Sequence, residues 1–172
     1  MRLLAVVVVA LACAAVAAAG PRTDITQTAV SGLRLGMRAK AYYGTFGISP
    51  RLDRLEDGYR RLVFPQPRDP VLGGGEVELY FAGMRDAAVA IVVTDPRWRT
   101  LAQVGPCSTV TALRRAYGAR LAPLRQGANV VAYHLGNLWF ASGDGPRISA
   151  VQLSARGLGP WLALNAPTCK RP

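Results

Sequence analysis

Two stretches decide how this chain reads: Ser31-Gly-Leu-Arg-Leu-Gly-Met-Arg-Ala-Lys-Ala-Tyr-Tyr-Gly-Thr-Phe-Gly47 and Gln103-Val-Gly-Pro-Cys-Ser-Thr-Val-Thr-Ala-Leu-Arg-Arg-Ala-Tyr-Gly118. Each carries a glycine (Gly36, Gly105), a short polar lead-in, a helical stretch, and then an aromatic–glycine pair, Phe46-Gly47 or Tyr117-Gly118. In the second stretch Ser108-Thr109 suits a helix N-cap, because a hydroxyl there accepts from an amide that has no partner in the first turn. Gly118 suits the position just past the last turn, where a positive φ is cheap only for glycine. The pair reads as an internal repeat.

Short β-branched or aromatic segments follow each helix. The first set is Arg60 to Phe64, Glu76 to Phe81 and Ala87 to Thr94; the second is Asn129 to Leu135, Leu138 to Ser142 and Ile148 to Ser154. Turn residues separate them: Met84-Arg85-Asp86, Gly136-Asn137 and Gly143-Asp144-Gly145-Pro146. Pro65 to Gly75 is the longest loop, and Arg97 to Thr100 leads from one half to the other. The expected fold class is therefore α+β: two tandem helix-plus-three-strand repeats, with an antiparallel sheet and the helices on one side. The expected organisation is a signal peptide over 1–19, a linker over 20–28, a first repeat over 29–101 and a second over 102–172. A half of about 70 residues buries little by itself, so the halves are expected to share a core.

Composition bounds the class. The chain has 172 residues, 51% of them apolar and 18% charged, which excludes a disordered chain, a coiled coil, a large multidomain enzyme and a polytopic membrane protein. Arg2 is followed by an uncharged run from Leu3 to Ala19 that ends in small residues, the three parts of an export signal. A retained anchor is the rival, since about 17 apolar residues is the lower limit for spanning a bilayer. A second rival takes Leu11-Ala12-Cys13 as a lipobox with Cys13 lipidated. The expected location is thus secreted, periplasmic or in the cell envelope.

Export leaves Cys107 and Cys169, which read as a disulfide in an oxidising compartment. Closing that loop stabilises by about 4 kcal/mol on the chain-entropy model and pins the tail. A redox or nucleophilic cysteine fits less well, because no Cys-x-x-Cys is present.

The two glycine–helix–aromatic-glycine motifs, Gly32 to Gly36 through Phe46-Gly47 and Val104-Gly105 through Tyr117-Gly118, resemble the β-lactamase-inhibitor-protein-like fold and the related small outer-membrane-assembly lipoproteins of exported bacterial proteins. The resemblance implies a non-catalytic scaffold that binds proteins through its sheet face. The chain departs from the inhibitor in having one cysteine pair where the inhibitor has one in each half. None of the inhibitor's enzyme-contacting residues can be matched, so β-lactamase inhibition is not implied.

No catalytic, cofactor-binding or metal-binding set emerges, and neither an enzyme nor a cofactor is expected. His134, the one histidine, has no Cys, Asp or Glu at ligand spacing. Asp53, Glu56 and Asp57 are interleaved with Arg51, Arg54, Arg60 and Arg61 and read as a solvated charge cluster. Gly73-Gly74-Gly75 lacks the Lys-Ser/Thr of a phosphate loop.

Two features point to partners. Tyr80, Phe81, Tyr133, Trp139 and Phe140 fall in expected strands and form the candidate binding face, since Tyr, Trp and Arg dominate interface hot spots. Strand alternation sets Tyr133 opposite His134 and Trp139 opposite Phe140, without saying which points outward. The net charge is +11, with Lys40 and Lys170 the only lysines. Such a chain is drawn to anionic surfaces. The expected function is a non-catalytic exported module that binds an envelope or extracellular protein. The alternative is electrostatic attachment to anionic wall polymers or lipids; a hydrolase ranks third, and nucleic acid is not expected as a partner.

Overall fold

The computed structural model describes residues 24–46, 49–54, 58–66, 74–143, 145–164 and 169. The expected export signal, Cys13, Gly47, Glu56, Asp57, Gly73 and Asp144 lie outside them.

The chain opens with three two-residue strands, β1 (Asp24–Ile25), β2 (Ala29–Val30) and β3 (Leu33–Arg34), followed by helix α1 (Ala39–Phe46). Four longer strands come next: β4 (Arg51–Arg54), β5 (Tyr59–Pro65), β6 (Glu76–Ala82) and β7 (Ala88–Val93). Then β8 (Arg99–Thr100) leads to α2 (Val110–Tyr117) and a single 3-10 turn over Gly118–Arg120. The chain continues through β9 (Ala122–Gln126), β10 (Asn129–Leu135), β11 (Leu138–Ala141), β12 (Ala150–Ser154) and α3 (Trp161–Leu164).

The long strands form one eight-stranded sheet in the order β4-β5-β6-β7-β12-β11-β10-β9, antiparallel throughout. The short ones form a second, four-stranded sheet, β3-β2-β1-β8. This corrects the expected fold class. Four strands follow each long helix where three were expected, all eight join one sheet, and strand outweighs helix along the chain. The helices are not all on one side either, because α3 packs on the face opposite to α1 and α2.

The two faces differ because register lines up unlike residues. On the first face Leu52, Leu62, Leu79, Ile91, Leu153, Leu138 and Leu135 form one continuous cross-strand row. Such rows are the unit of sheet stabilisation. Tyr42 of α1, Leu113 of α2 and the small sheet's Ile25, Val30 and Leu33 close over this face with Phe64, Phe81 and Phe140. Arginines seal its aromatic margins: Arg60 lies 5.6 Å from the Phe81 ring, Arg114 5.4 Å from Tyr133 and Arg120 6.0 Å from Tyr117.

Local chemistry sets the helix ends. Thr109 Oγ1 accepts from the Ala112 amide at 3.0 Å, the cap its sequence position predicts. Gly118 ends α2 at φ 52°, its amide donating to the Arg114 carbonyl. On α1 the buried Tyr42 hydroxyl donates to the Arg34 carbonyl at 2.6 Å. Burial pushes its pKa up to about 12, outweighing a backbone hydrogen bond that lowers it.

Cys107 and Cys169 are joined, with Cα atoms 5.5 Å apart across 62 residues of sequence. The rest of the expected pinned tail, 166–168 and 170–172, lies outside the described residues.

Candidate functional site

The second face carries a row of another kind: Arg51, Val63, Glu78, Val92, Gln152, Trp139, His134 and Ala122, in register across all eight strands. Its centre is dry. Leu162 and Ala163 of α3 cover Tyr80, Ala90, Val92, Ala141 and Ala150. The two ends of the row are where chemistry is concentrated.

At one end Arg61 Nη2 bonds Asp53 Oδ2 at 2.8 Å, and its Nη1 reaches Glu78 Oε2 at 3.4 Å. The Tyr80 hydroxyl donates to the same Glu78 oxygen. Arg51 adds a 3.2 Å contact to Asp53. Burial pushes the Asp53 pKa up, but hydrogen bonds from Arg61 and Arg51 outweigh it and hold the carboxyl below its ordinary range. Burial, then the Glu78 charge, raises the Tyr80 pKa above the ordinary tyrosine value. A carboxylate shared between a guanidinium and a phenol is satisfied, so this end is a structural ion pair. Asp53 is thus paired rather than freely solvated. The sequence signal missed was Glu78-x-Tyr80, two residues apart and hence on one face.

At the other end the imidazole of His134 stacks on the indole of Trp139, centroids 4.2 Å apart and planes 24° from parallel. Both rings are half-buried. They floor an open groove of about 500 Å³. One wall is the β10–β11 turn, Gly136-Asn137; the other is the turn after β12, Ser154 to Gly159, which carries Arg156 and Leu158.

Both walls are held in place. Gly136 sits at φ 61°, and Asn137 Nδ2 donates to the Gln27 carbonyl at 3.2 Å, docking the hairpin on the small sheet. The Ser154 amide donates to the Asn137 carbonyl at 3.0 Å, joining one wall to the other. Fully buried Gln152 donates from Nε2 to Ser154 Oγ (2.5 Å) and to the Gly159 carbonyl (2.7 Å), and its Oε1 accepts from the Ala163 amide (3.0 Å). This one amide spends both donors and an acceptor fixing the far wall and α3 to the sheet.

The expected binding face is divided by the structure. Phe81, Tyr133 and Phe140 lie in the core of the first face, and Tyr80 lies beneath α3. The Tyr133 hydroxyl accepts from Arg114 Nη2 at 2.7 Å. Of the five, Trp139 alone is half-open, and its outward partner is His134. Among the described residues no three His, Cys, Asp or Glu side chains gather as metal ligands, and no helix is long and apolar enough to cross a membrane.

No protein-family model matches the chain, and no curated protein matches it in sequence. Among solved structures it is similar to an extracellular protein containing an SCP domain from Bacillus anthracis Ames, with a TM-score of 0.49 and 12% identity. It is also similar to a cysteine-rich secretory protein from Staphylococcus aureus Mu50, with a TM-score of 0.45 and 11% identity. Each alignment covers 71% of this chain and 44% of the other, so the chain spans less than half of either protein. None of the comparisons supports the expected resemblance to β-lactamase-inhibitor-like proteins and outer-membrane-assembly lipoproteins, and that expectation is withdrawn.

Proposed function

We propose that this chain is an exported, non-catalytic binding module that holds its partner in the groove floored by His134 and Trp139. The observation that carries this reading is the stacked pair itself. One sheet face is closed by α1 and α2, and the other is closed at its centre by α3. The pair remains half-open in a concave site whose walls are fixed by Gln152 and Asn137. Concave sites of this volume, with few polar groups around an aromatic floor, are where ligands are held.

Export is supported by the residue pattern of 1–19 and by the Cys107–Cys169 bond, which persists in oxidising compartments. The non-catalytic reading is supported by the chemistry of the groove. Ser154 Oγ is engaged by Gln152 and lies away from solvent. Among the described residues His134 hydrogen-bonds to no carboxylate or hydroxyl that would orient it as a base. A second reading, charge-driven attachment to anionic wall polymers or lipids, is favoured by the net charge of +11.

The test is retention of envelope material from the producing cells on tagged protein, washed in low and high salt, with Trp139→Ala beside the wild type. Retention that survives high salt and is lost in Trp139→Ala is the expected result. Retention that is lost in high salt and indifferent to Trp139→Ala overturns the groove and leaves the charge reading.

A further inference from the structure

We infer that the ligand of this groove is an acidic saccharide, a short run of sugar rings bearing carboxylates; this rests on the groove being the binding site. A pyranose has a flat face of C–H bonds and a rim of hydroxyls, so it needs an aromatic surface beside planar hydrogen-bonding groups. The groove offers that combination. His134 and Trp139 present a joined aromatic platform, and Asn137 and Arg156 stand exposed on opposite walls. Beyond its bond to Gln27, the Asn137 amide keeps one N–H donor and its carbonyl oxygen acceptor, and the Arg156 guanidinium matches a carboxylate in bidentate fashion.

Charge and shape point the same way. Among the described residues Arg156 lines the groove and no Asp or Glu does, so an anion meets attraction from them without repulsion. The far wall carries Gly157 and Gly159, where an added Cβ would meet nothing within 4 Å, leaving room for a chain to pass. A peptide fits less well. The β10 and β11 backbones are already paired on both sides, and among the described residues Leu158 is the only large aliphatic side chain lining the groove. Peptide recognition relies on a free strand edge or on apolar pockets for anchors.

The experiment is calorimetric titration of the full disulfide-bonded protein with tetragalacturonate and with its methyl ester, which keeps the rings and removes the charge. The acid is expected to bind saturably and at least about fivefold tighter than the ester at low salt. That preference should shrink in 1 M salt, where the Debye length falls to about 3 Å. Trp139→Ala should weaken both ligands by about tenfold or more, the loss typical of a central aromatic anchor. Arg156→Gln, at an exposed position outside the core, should bring the acid down to the ester's affinity while leaving thermal unfolding unchanged. No saturable binding of either saccharide, or affinities indifferent to both substitutions, overturns the inference. If envelope retention still depends on Trp139 while calorimetry is silent, only the saccharide falls. If neither assay responds to Trp139→Ala, the groove falls with it.

Discussion

The rings of His134 and Trp139 lie on adjacent strands, in direct register, and stack with centroids 4.2 Å apart. A cross-strand ring pair contributes about 0.5–1.5 kcal/mol beyond its buried area. Trp139→Ala should therefore lower stability by about 1–2 kcal/mol and leave the fold intact. Denaturant unfolding checks this, and a much larger loss would mean that Trp139 belongs to the core rather than to a ligand surface.

The pairing at the other end of the same row makes stability depend on pH. Arg61 and Arg51 hold the Asp53 carboxyl below its ordinary range. The folded form therefore releases this proton more readily than the unfolded form. The resulting stability is present above the unfolded aspartate pKa of about 3.9 and is lost as pH falls through the lower, folded value. Asp53 is partly exposed, so the contribution stays below about 1 kcal/mol. Unfolding midpoints from pH 6 down to about pH 2 should fall less steeply for Asp53→Asn than for the wild type.

Glu78 is nearly buried and accepts from both Tyr80 and Arg61. Tyr80→Phe keeps the ring beneath α3 and removes one donor from a buried carboxylate. The expected loss is about 1–3 kcal/mol, read by chemical denaturation. Glu78→Gln in the Tyr80→Phe background should cost less than the sum of the two single changes, because the two residues share one interaction.

Gly36 and Gly105 align in sequence but serve different ends. Gly36 has φ 81° with open space around it, whereas a Cβ on Gly105 would lie 2.0 Å from the Trp98 carbonyl oxygen. Gly105→Ala must move backbone and should destabilise by about 1–3 kcal/mol. Gly36→Ala should cost about 1–2 kcal/mol through its φ alone. Thermal midpoints of the two single variants check these losses.

What could be read from sequence follows from this contrast. The alternating or apolar segments at 76–82, 88–93 and 129–135 were legible because both their period and their length are local properties. The edge strands β4 and β9 were not. Arg51-Leu-Asp-Arg54 reads as solvated charge, and Pro123 argues against a strand, yet charge and proline are what sheet edges tolerate. Adding them turns two helix-plus-three-strand units into one eight-stranded sheet. Alternation also fixed Tyr133 against His134 and Trp139 against Phe140, but which member faces outward depends on where distant helices land. The four-residue α3 carries little helical period, and it is what buries Tyr80 and leaves Trp139 beside an open groove. The clamp from Gln152 to that segment spans no more than 11 residues of sequence, but a glutamine in a strand carries no pattern that names its hydrogen-bond partners.

The Cys107–Cys169 bond ties the tail to the start of α2. Cys169→Ser should lower stability by about 2–4 kcal/mol, measured against the oxidised wild type. At temperatures where the variant remains folded, saccharide affinity should be unchanged. Loss of binding at unchanged stability would contradict a purely structural bond.

His134 is the chain's one histidine, so its imidazole protons give an isolated NMR signal on the floor of the groove. The most direct measurement is that signal during titration with envelope material from the producing cells, in the wild type and in Arg156→Gln. The account predicts a saturable shift in the wild type that weakens in the variant. A signal that stays fixed while the protein is demonstrably bound would place the partner elsewhere and contradict the groove.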